Sequence, residues 1–495
     1  SMKKIQPVIG LEVHVQLNTR SKMFCSCSRD YFNSLPNTKV CPVCLGMPGV
    51  LPVINKKAVK LTILTGLAFD CSISTVSSFA RKNYHYPDLV KGYQISQFEE
   101  PLCIGGKISF MLNNEMNEVS LERIHLEEDT ARLIHNNTEV DNSSLMDINR
   151  SGVPLMEVVS DPDMHSADQA IGYLKKLRQT LRYINVSDAD MEKGSFRCDA
   201  NISVRYEGDK ALGKKVEVKN MNSFRSIHRA IETEIERQSK MLHAGEDIAQ
   251  ETRGFVDAKG ITVSQRSKEQ AHDYRYFPEP DLPPLFNSET TISDLKMSLQ
   301  ELPNIKSKRF QDQYGLLSEE SELLVSTKLG ASNFEESVKE YQKLLKKDTK
   351  IELAKTVANW YMGDIAKQLN QINPDAELQD TQVSPKQISE LLQLIHEKYI
   401  TVSSAKVVLE KMFNNEGAPK DIVEQESLGQ LNNSDEIIKI ILNVIQNNEK
   451  AIRDYSAGKT SALGYLVGQV MKETRGRIDA NEASQMLIKK ISEKN

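Results

Sequence analysis

From Leu11 the chain alternates strictly: Leu11, Val13, Val15 and Leu17 are apolar, and Glu12, His14 and Gln16 between them are polar. A period of two predicts a strand with one buried and one open face, and it puts Glu12 and His14 on the open face, about 7 Å apart. The alternation returns from Val119 and runs into RIHLEEDTARLIH, Arg123 to His135. There His125, Glu127 and Asp129 share one face, and Glu128 shares the other with Ile124 and Leu126. A further carboxylate, Glu157, stands between Leu155–Met156 and Val158–Val159. Beyond residue 290 the period changes: IELAKTVANWYMGDIAKQL (Ile351 to Leu369) repeats apolar residues every three or four positions, which predicts helices. Between the two textures, DYRYFPEPDLPPL (Asp273 to Leu285) carries four prolines and reads as an extended exit segment. NNEGAPKD (Asn414 to Asp421) reads as a linker before further short amphipathic helices. The expected fold is α+β: a large mixed α/β domain with antiparallel strands at 1–292, an all-α domain at 293–412 and a small helical tail at 413–495.

Composition narrows the class. At 495 residues, 39% hydrophobic and 26% charged, the chain is an ordinary globular protein of two to four domains. A net charge of −5 argues against a protein that coats nucleic acid over its whole surface, while leaving room for a local basic patch. No apolar run approaches a membrane span and no stretch reads as a signal peptide. Ser1 ahead of Met2 reads as a cloning remnant. The seven cysteines are unevenly placed, four of them between Cys25 and Cys44, which suits a reducing, cytosolic protein better than a disulfide framework.

Adjacent acids repel unless something positive lies between them, and a carboxylate on an apolar face is costly unless paired or bound to metal. Glu12, His14, Glu127 or Glu128, and Glu157 therefore form a candidate cation site, against the plainer alternative of solvated polar strand faces. Alternation at a strand end does not decide between Glu127 and Glu128. Oxygen ligands with one imidazole suit Mg²⁺ or Mn²⁺ better than Zn²⁺. Magnesium usually carries phosphate, yet no Walker loop is present: Gly458-Lys459-Thr460 follows Arg453 where the motif needs glycine. Cys25-x-Cys27 and Cys41-x-x-Cys44 have the pairing of a closed Cys₄ zinc site, structural rather than catalytic; the alternative is four reduced thiols in a loop. FARKNYHYPDLVKGYQISQF interleaves Arg81, Lys82 and Lys91 with Tyr84, His85, Tyr86 and Tyr93, a mixture that suits base stacking with phosphate contact, or a polar channel. In the tail, Lys450, Arg453, Lys459, Lys472, Arg475 and Arg477 face only Asp454 and Glu473, a pattern that fits a phosphate backbone or a solvated helix face.

These stretches together resemble one family. VIGLEVHVQL, RKNYHYPDLVKGYQISQ, HLEED, DINRSGVPLMEVVSDPD, MEKGSFRCDANISVR, VEVKNMNSFRSI, DYRYFPEPDLPPL and YSAGKTSALGYLVGQVMKETRG are similar to the B subunits of aspartyl/glutamyl-tRNA amidotransferases, over essentially the whole chain. The resemblance implies ATP-dependent amidation of Glu on Glu-tRNA(Gln), or Asp on Asp-tRNA(Asn). It implies a heterotrimer, completed by an amidase (the family's A subunit) and a small wrapping partner (its C subunit). The amidase supplies ammonia from glutamine through a polar channel. The resemblance also implies a cradle domain that uses ATP and Mg²⁺, a structural Zn²⁺, and a tail of the YqeY type that contacts tRNA. Carried onto matching positions, it implies reacting groups at Lys82, Tyr84 and Glu128, and a Mg²⁺ site among Glu12, His14, Glu127, Glu128 and Glu157. It implies an ATP and substrate pocket with Arg81, Tyr86, Lys91, Arg132, Arg197 and Asn201, and tRNA contacts at Lys459, Lys472 and Arg475.

The sequence departs from the family's usual strings in three places. His85 stands for Phe, Val90 for Pro, and Thr130-Ala131-Arg132 for Ala-Gly-Lys. Arg132 can take over a phosphate contact from Lys, though with different geometry. Two rival readings remain: a tRNA-binding scaffold whose metal is structural, and an amide ligase that works alone on free ammonia. The chain shows no Ser-Ser-Lys amidase signature, so it is expected not to hydrolyse glutamine by itself.

Overall fold

A computed structural model describes residues 3–135, 143–267, 274–346, 350–431 and 434–493. The chain divides into two compact units, Ser1–Leu302 and Pro303–Asn495.

The first unit is built on a ten-stranded sheet. Its central order is Val216–Lys219, Phe196–Tyr206, Ile5–Gln16, Pro154–Ser160, Glu115–Glu128. These neighbours are all antiparallel; a parallel step follows from Val216–Lys219 to Glu251–Val256. The alternation of Leu11, Val13 and Val15 does what a period of two requires: all three are fully buried. They join Met156, Val158, Ile124, Leu126, Cys198 and Ala200 on one apolar face. Helices Lys56–Ala68, Ala167–Tyr183 and Phe224–Ala244 supply the residues packed with that face in the same core, Leu61, Tyr173, Leu177 and Ile231 among them. Each buried Leu or Ile contributes about 1.5–3 kcal/mol of transfer free energy. The opposite face keeps the polar partners of the alternation.

Antiparallel pairing sets those polar residues in rows. Arg197, His14, Glu157 and His125 lie directly opposite one another across four strands, and Asp199 and Glu12 form the next row. Residues directly opposite in such a pair project to the same face.

The proline-rich segment is not merely an exit. Its first residue, Asp273, lies outside the described residues. Phe277 and Pro278 then pair with Arg81 and Ala80 as an edge strand, and Leu285 and Phe286 pair with Ser77 and Val76. Proline is tolerated at a sheet edge because its missing N–H faces no ladder partner. The segment thus returns along the strand Ala80–Asn83.

The second unit is helical throughout its described residues, with two cores. One gathers Phe310, Phe334, Val357, Leu391 and Leu409; the other gathers Leu431, Ile441, Leu466, Val470 and Leu487. Between them the expected linker at 414–421 is shorter than the composition suggests. Pro419, preorganised for the first helical position, opens a helix over Pro419–Gln425 that buries Ile422 and Val423.

Candidate cation and substrate site

The row across the sheet becomes a cluster. His14 Nε2 lies 3.6 Å from Glu127 Oε1 and 3.7 Å from Glu157 Oε2. One ligand atom from each of His14, Glu127 and Glu157 falls within 4.8 Å of the others. His125 closes the group from the far strand, its Nε2 3.0 Å from Glu157 Oε2 and 3.4 Å from Glu127 Oε2. Ser96 Oγ donates to Glu127 Oε2 at 2.9 Å. Burial works against ionising both acids. For Glu157, the His14 and His125 imidazoles, with a smaller contribution from Lys82, overcome burial and hold the carboxyl well below its ordinary range. Glu127 is likewise lowered, with the His125 hydrogen bond opposing burial. Burial lowers His125, but Glu157 and Glu127 outweigh it and raise the imidazole to about 9. Two buried carboxylates and an imidazole converging on one point are what a hard divalent cation takes, and His125 is placed to orient the acids.

Glu127 continues the alternation and faces His14. Glu128 turns to the other side: its carboxylate pairs with Lys91 Nζ and accepts from Ile95 N at 3.1 Å. The arrangement therefore places Glu128 outside the cation group expected from the sequence, because its oxygens are held by Lys91 and the neighbouring strand. Glu12 also lies outside it, one row along, where Asn201 Nδ2 donates to its Oε1 at 3.0 Å. Burial, then Glu157 and Glu217, raises the Glu12 carboxyl above its ordinary value.

Lys82 enters from the strand Ala80–Asn83. Its ammonium sits 4.7 Å from the centre of the Tyr274 ring and 5.8 Å from that of Tyr84. Burial opposes the charge, but Glu127, Tyr276 and Glu157 overcome it and raise the amine above its usual range. Tyr274 and Tyr276 come from the proline-rich segment, edge to face at 5.9 Å, and Phe98 stacks on Tyr276 at 4.2 Å. Sequence reading missed these two tyrosines; the aromatic density of YRYF was their signal. Missed as well was Glu279, which anchors the segment: Arg81 Nε and Nη2 donate to its two oxygens at 2.7 and 2.9 Å. Arg81 is thus engaged in the clamp rather than free in a pocket. Tyr86 is 55% exposed.

Arg197 begins the row and donates from Nη2 to Asp129 Oδ2 at 2.7 Å. Burial raises the Asp129 carboxyl, but Arg150 and Arg197 win and hold it low. Arg132 stands in a separate two-stranded ribbon, opposite Asp147. In the second unit, Lys459, Lys472 and Arg475 are all exposed, and Lys459 Nζ is 3.3 Å from Asp454 Oδ1.

The four cysteines converge too. Sγ atoms of Cys25, Cys27, Cys41 and Cys44 lie within 4.8 Å of one another, and those of Cys41 and Cys44 are 3.9 Å apart. A tetrahedral zinc with sulfur at about 2.3 Å has edges of about 3.8 Å, so the four thiols fit a metal. Lys22, fully buried, has Nζ 3.4 Å from Cys44 Sγ, a cation beside prospective thiolates.

Known proteins match along the whole chain. The profile of the "GatB/GatE catalytic domain" matches residues 7–293, and that of the "GatB domain" matches residues 334–491. A protein of Dehalococcoides mccartyi, named as the B subunit of an aspartyl/glutamyl-tRNA(Asn/Gln) amidotransferase, is 49% identical over 495 residues, 99% of this chain and 100% of that one. Proteins of the same name from Thermoanaerobacter pseudethanolicus and Persephonella marina are 45% and 46% identical over 489 residues. They cover 99% and 98% of this chain and all of their own length.

Proposed function

The chain belongs to the family of aspartyl/glutamyl-tRNA(Asn/Gln) amidotransferase B subunits, and from that premise we propose that its first unit phosphorylates the side-chain carboxylate of a mischarged Glu-tRNA(Gln) or Asp-tRNA(Asn). A carboxylate is a poor electrophile. One of its oxygens attacks the γ-phosphorus of ATP, the bond to the β-bridging oxygen breaks, and ADP leaves. Ammonia then attacks the acyl carbon, and phosphate departs with the proton that nitrogen loses. The products are the Gln or Asn amide, ADP and phosphate.

The observation that carries this reading is the group of half-buried His14 with buried Glu127 and Glu157 beside the Lys82 ammonium. Those three residues would hold Mg²⁺, which when bound supplies charge neutralisation on phosphate oxygens. Lys82, kept cationic by the two acids and walled by Tyr84, Tyr274 and Tyr276, is suited to an anionic phosphoryl group. Arg197, Asn201 and Glu12, further along the same face, are suited to the remainder of the nucleotide or the acceptor end. The Cys₄ cluster would hold a closed structural Zn²⁺. Lys459, Lys472 and Arg475, exposed on the second unit, suit the phosphates of the tRNA body. The amidase and the small wrapping partner complete the enzyme in this reading. No helix among the described residues is long and apolar enough to cross a membrane, and the reading places the enzyme in the cytoplasm.

The test is phosphate transfer from γ-labelled ATP in the complex reconstituted with both partners, Glu-tRNA(Gln) and Mg²⁺. His14→Ala is expected to lower transfer about a hundredfold or more while tRNA binding persists. Unchanged transfer would favour the scaffold reading, in which any metal here is structural.

A further inference from the structure

The Cys₄ element does more than close a loop. Cys41 and Cys44 sit in a tight turn in which Leu45 N donates to Cys41 O at 2.9 Å and Gly46 N to Val43 O at 3.0 Å. The turn is fastened from behind. Lys22 Nζ donates to Lys39 O at 2.8 Å, Ser151 Oγ reaches Cys44 O at 3.4 Å, and Gly152, packed against Cys44, donates to Asp129 O at 2.9 Å.

Its front presses on Lys91. Gly46 has φ +66°, and a Cβ there would lie 2.6 Å from Lys91 Cγ and 3.3 Å from Lys91 Cα and N. The turn's backbone therefore rests on the lysine stem, an approach only glycine permits. Beside the contact lies a cavity of about 230 Å³ lined by Cys25, Cys44, Gly46, Lys91, Tyr93 and Glu128. A lysine stem loses rotamer freedom on being fixed, and this cavity is where the freed stem would go. Within the cavity wall Lys91 meets Glu128, whose strand neighbour Glu127 belongs to the cation group.

We propose that the metal-held turn Cys41–Gly46 is a positioning element for Lys91, fixing its ammonium on Glu128 at the edge of the reaction pocket. The inference rests on the functional reading above for the reaction pocket and on the family resemblance for Lys91's place at its edge, across the strand from the cation group. Metal binding at the four thiols then reaches the pocket through one van der Waals contact rather than through general stability.

The fold supplies its own control. Gly49, in the same loop, has φ +85° and nothing within 4 Å of its would-be Cβ. Gly46→Ala and Gly49→Ala add the same methyl with a similar backbone strain; only the first meets Lys91. In the reconstituted complex, with zinc content and melting temperature recorded for each variant, Gly46→Ala is expected to lower kcat for phosphate transfer about tenfold with KM for ATP unchanged. Gly49→Ala is expected to leave both parameters as they are. In a Lys91→Ala background, Gly46→Ala is expected to change kcat less than about twofold. Acylation of the Lys91 amine, read by peptide mass mapping of the same complex, should rise in Gly46→Ala and in wild type after zinc chelation, but not in Gly49→Ala. Equal effects of the two glycine variants, additive loss in the Lys91→Ala background, or acylation of Lys91 unaffected by chelation would overturn the proposal. If the wild-type complex transfers no phosphate at all, the functional reading fails, and the acylation arm still decides the positioning.

Discussion

At the scale of residues, the site depends on which neighbour each charge finds. Glu127 and Glu128 are consecutive, both buried, and go to opposite partners, a histidine cluster and Lys91. The alternation of the strand made their separation legible, because consecutive strand residues must point apart. Which of the two faced His14 was not legible, since that depends on the strand's partners. The same holds for Arg81. Its charge suggested a ligand contact, yet its fork matches the Glu279 carboxylate, a residue far off in the sequence with no local sign of the pairing. Removing one partner of such a pair strands the other. Glu279 is buried and Arg81's side chain is 21% exposed, so Glu279→Ala is expected to cost about 3 kcal/mol, the low end of the buried range. Urea unfolding of the purified chain measures it; a cost near zero would mean that the proline-rich segment is held by its aromatic rings instead.

At the scale of elements, patterning told strand from helix well where the period was long and regular. It did less for the helices of the first unit. Ala167–Tyr183 lies among strand and turn signals, and its apolar stripe matters only because a sheet face waits for it, whereas KNMNSFRSIHRAIETEIERQ does read as the start of a helix, which the structure has at Phe224–Ala244. One contact shows how tightly they dock. Gly172 lies mid-helix, where alanine would ordinarily add up to about 1 kcal/mol of stability. Here a Cβ would meet Phe110 Cε2 at 2.5 Å, in the strand Lys107–Leu112. Gly172→Ala is therefore expected to destabilise by about 1–3 kcal/mol, reversing the usual sign. A thermal melt that rises would show that the helix has room to shift, and that its fit to the sheet is looser than the distance implies. The proline-rich segment was the element least legible in advance: four prolines exclude a helix, but only the partner strand Ala80–Asn83 makes the rest an edge strand.

At the scale of the whole molecule, a large mixed unit followed by helices was readable from the change of period alone, and the Cys₄ group from spacing alone. The cation group was half readable. Each ligand announced itself as a polar residue in an apolar run, but the row that unites them exists only through the pairing of three strands, far apart in sequence. Sheet registers of that kind are set by the whole fold and leave little trace in any one segment. The central claim is that His14, Glu127 and Glu157 bind one divalent cation. It is tested most directly by electron paramagnetic resonance of Mn²⁺ titrated into the nucleotide-free complex, comparing wild type with Glu157→Gln and Glu128→Gln. The account predicts a bound Mn²⁺ in wild type and in Glu128→Gln, and its loss in Glu157→Gln. Retention in Glu157→Gln together with loss in Glu128→Gln would contradict it, and would move the cation to the Lys91 side of the strand.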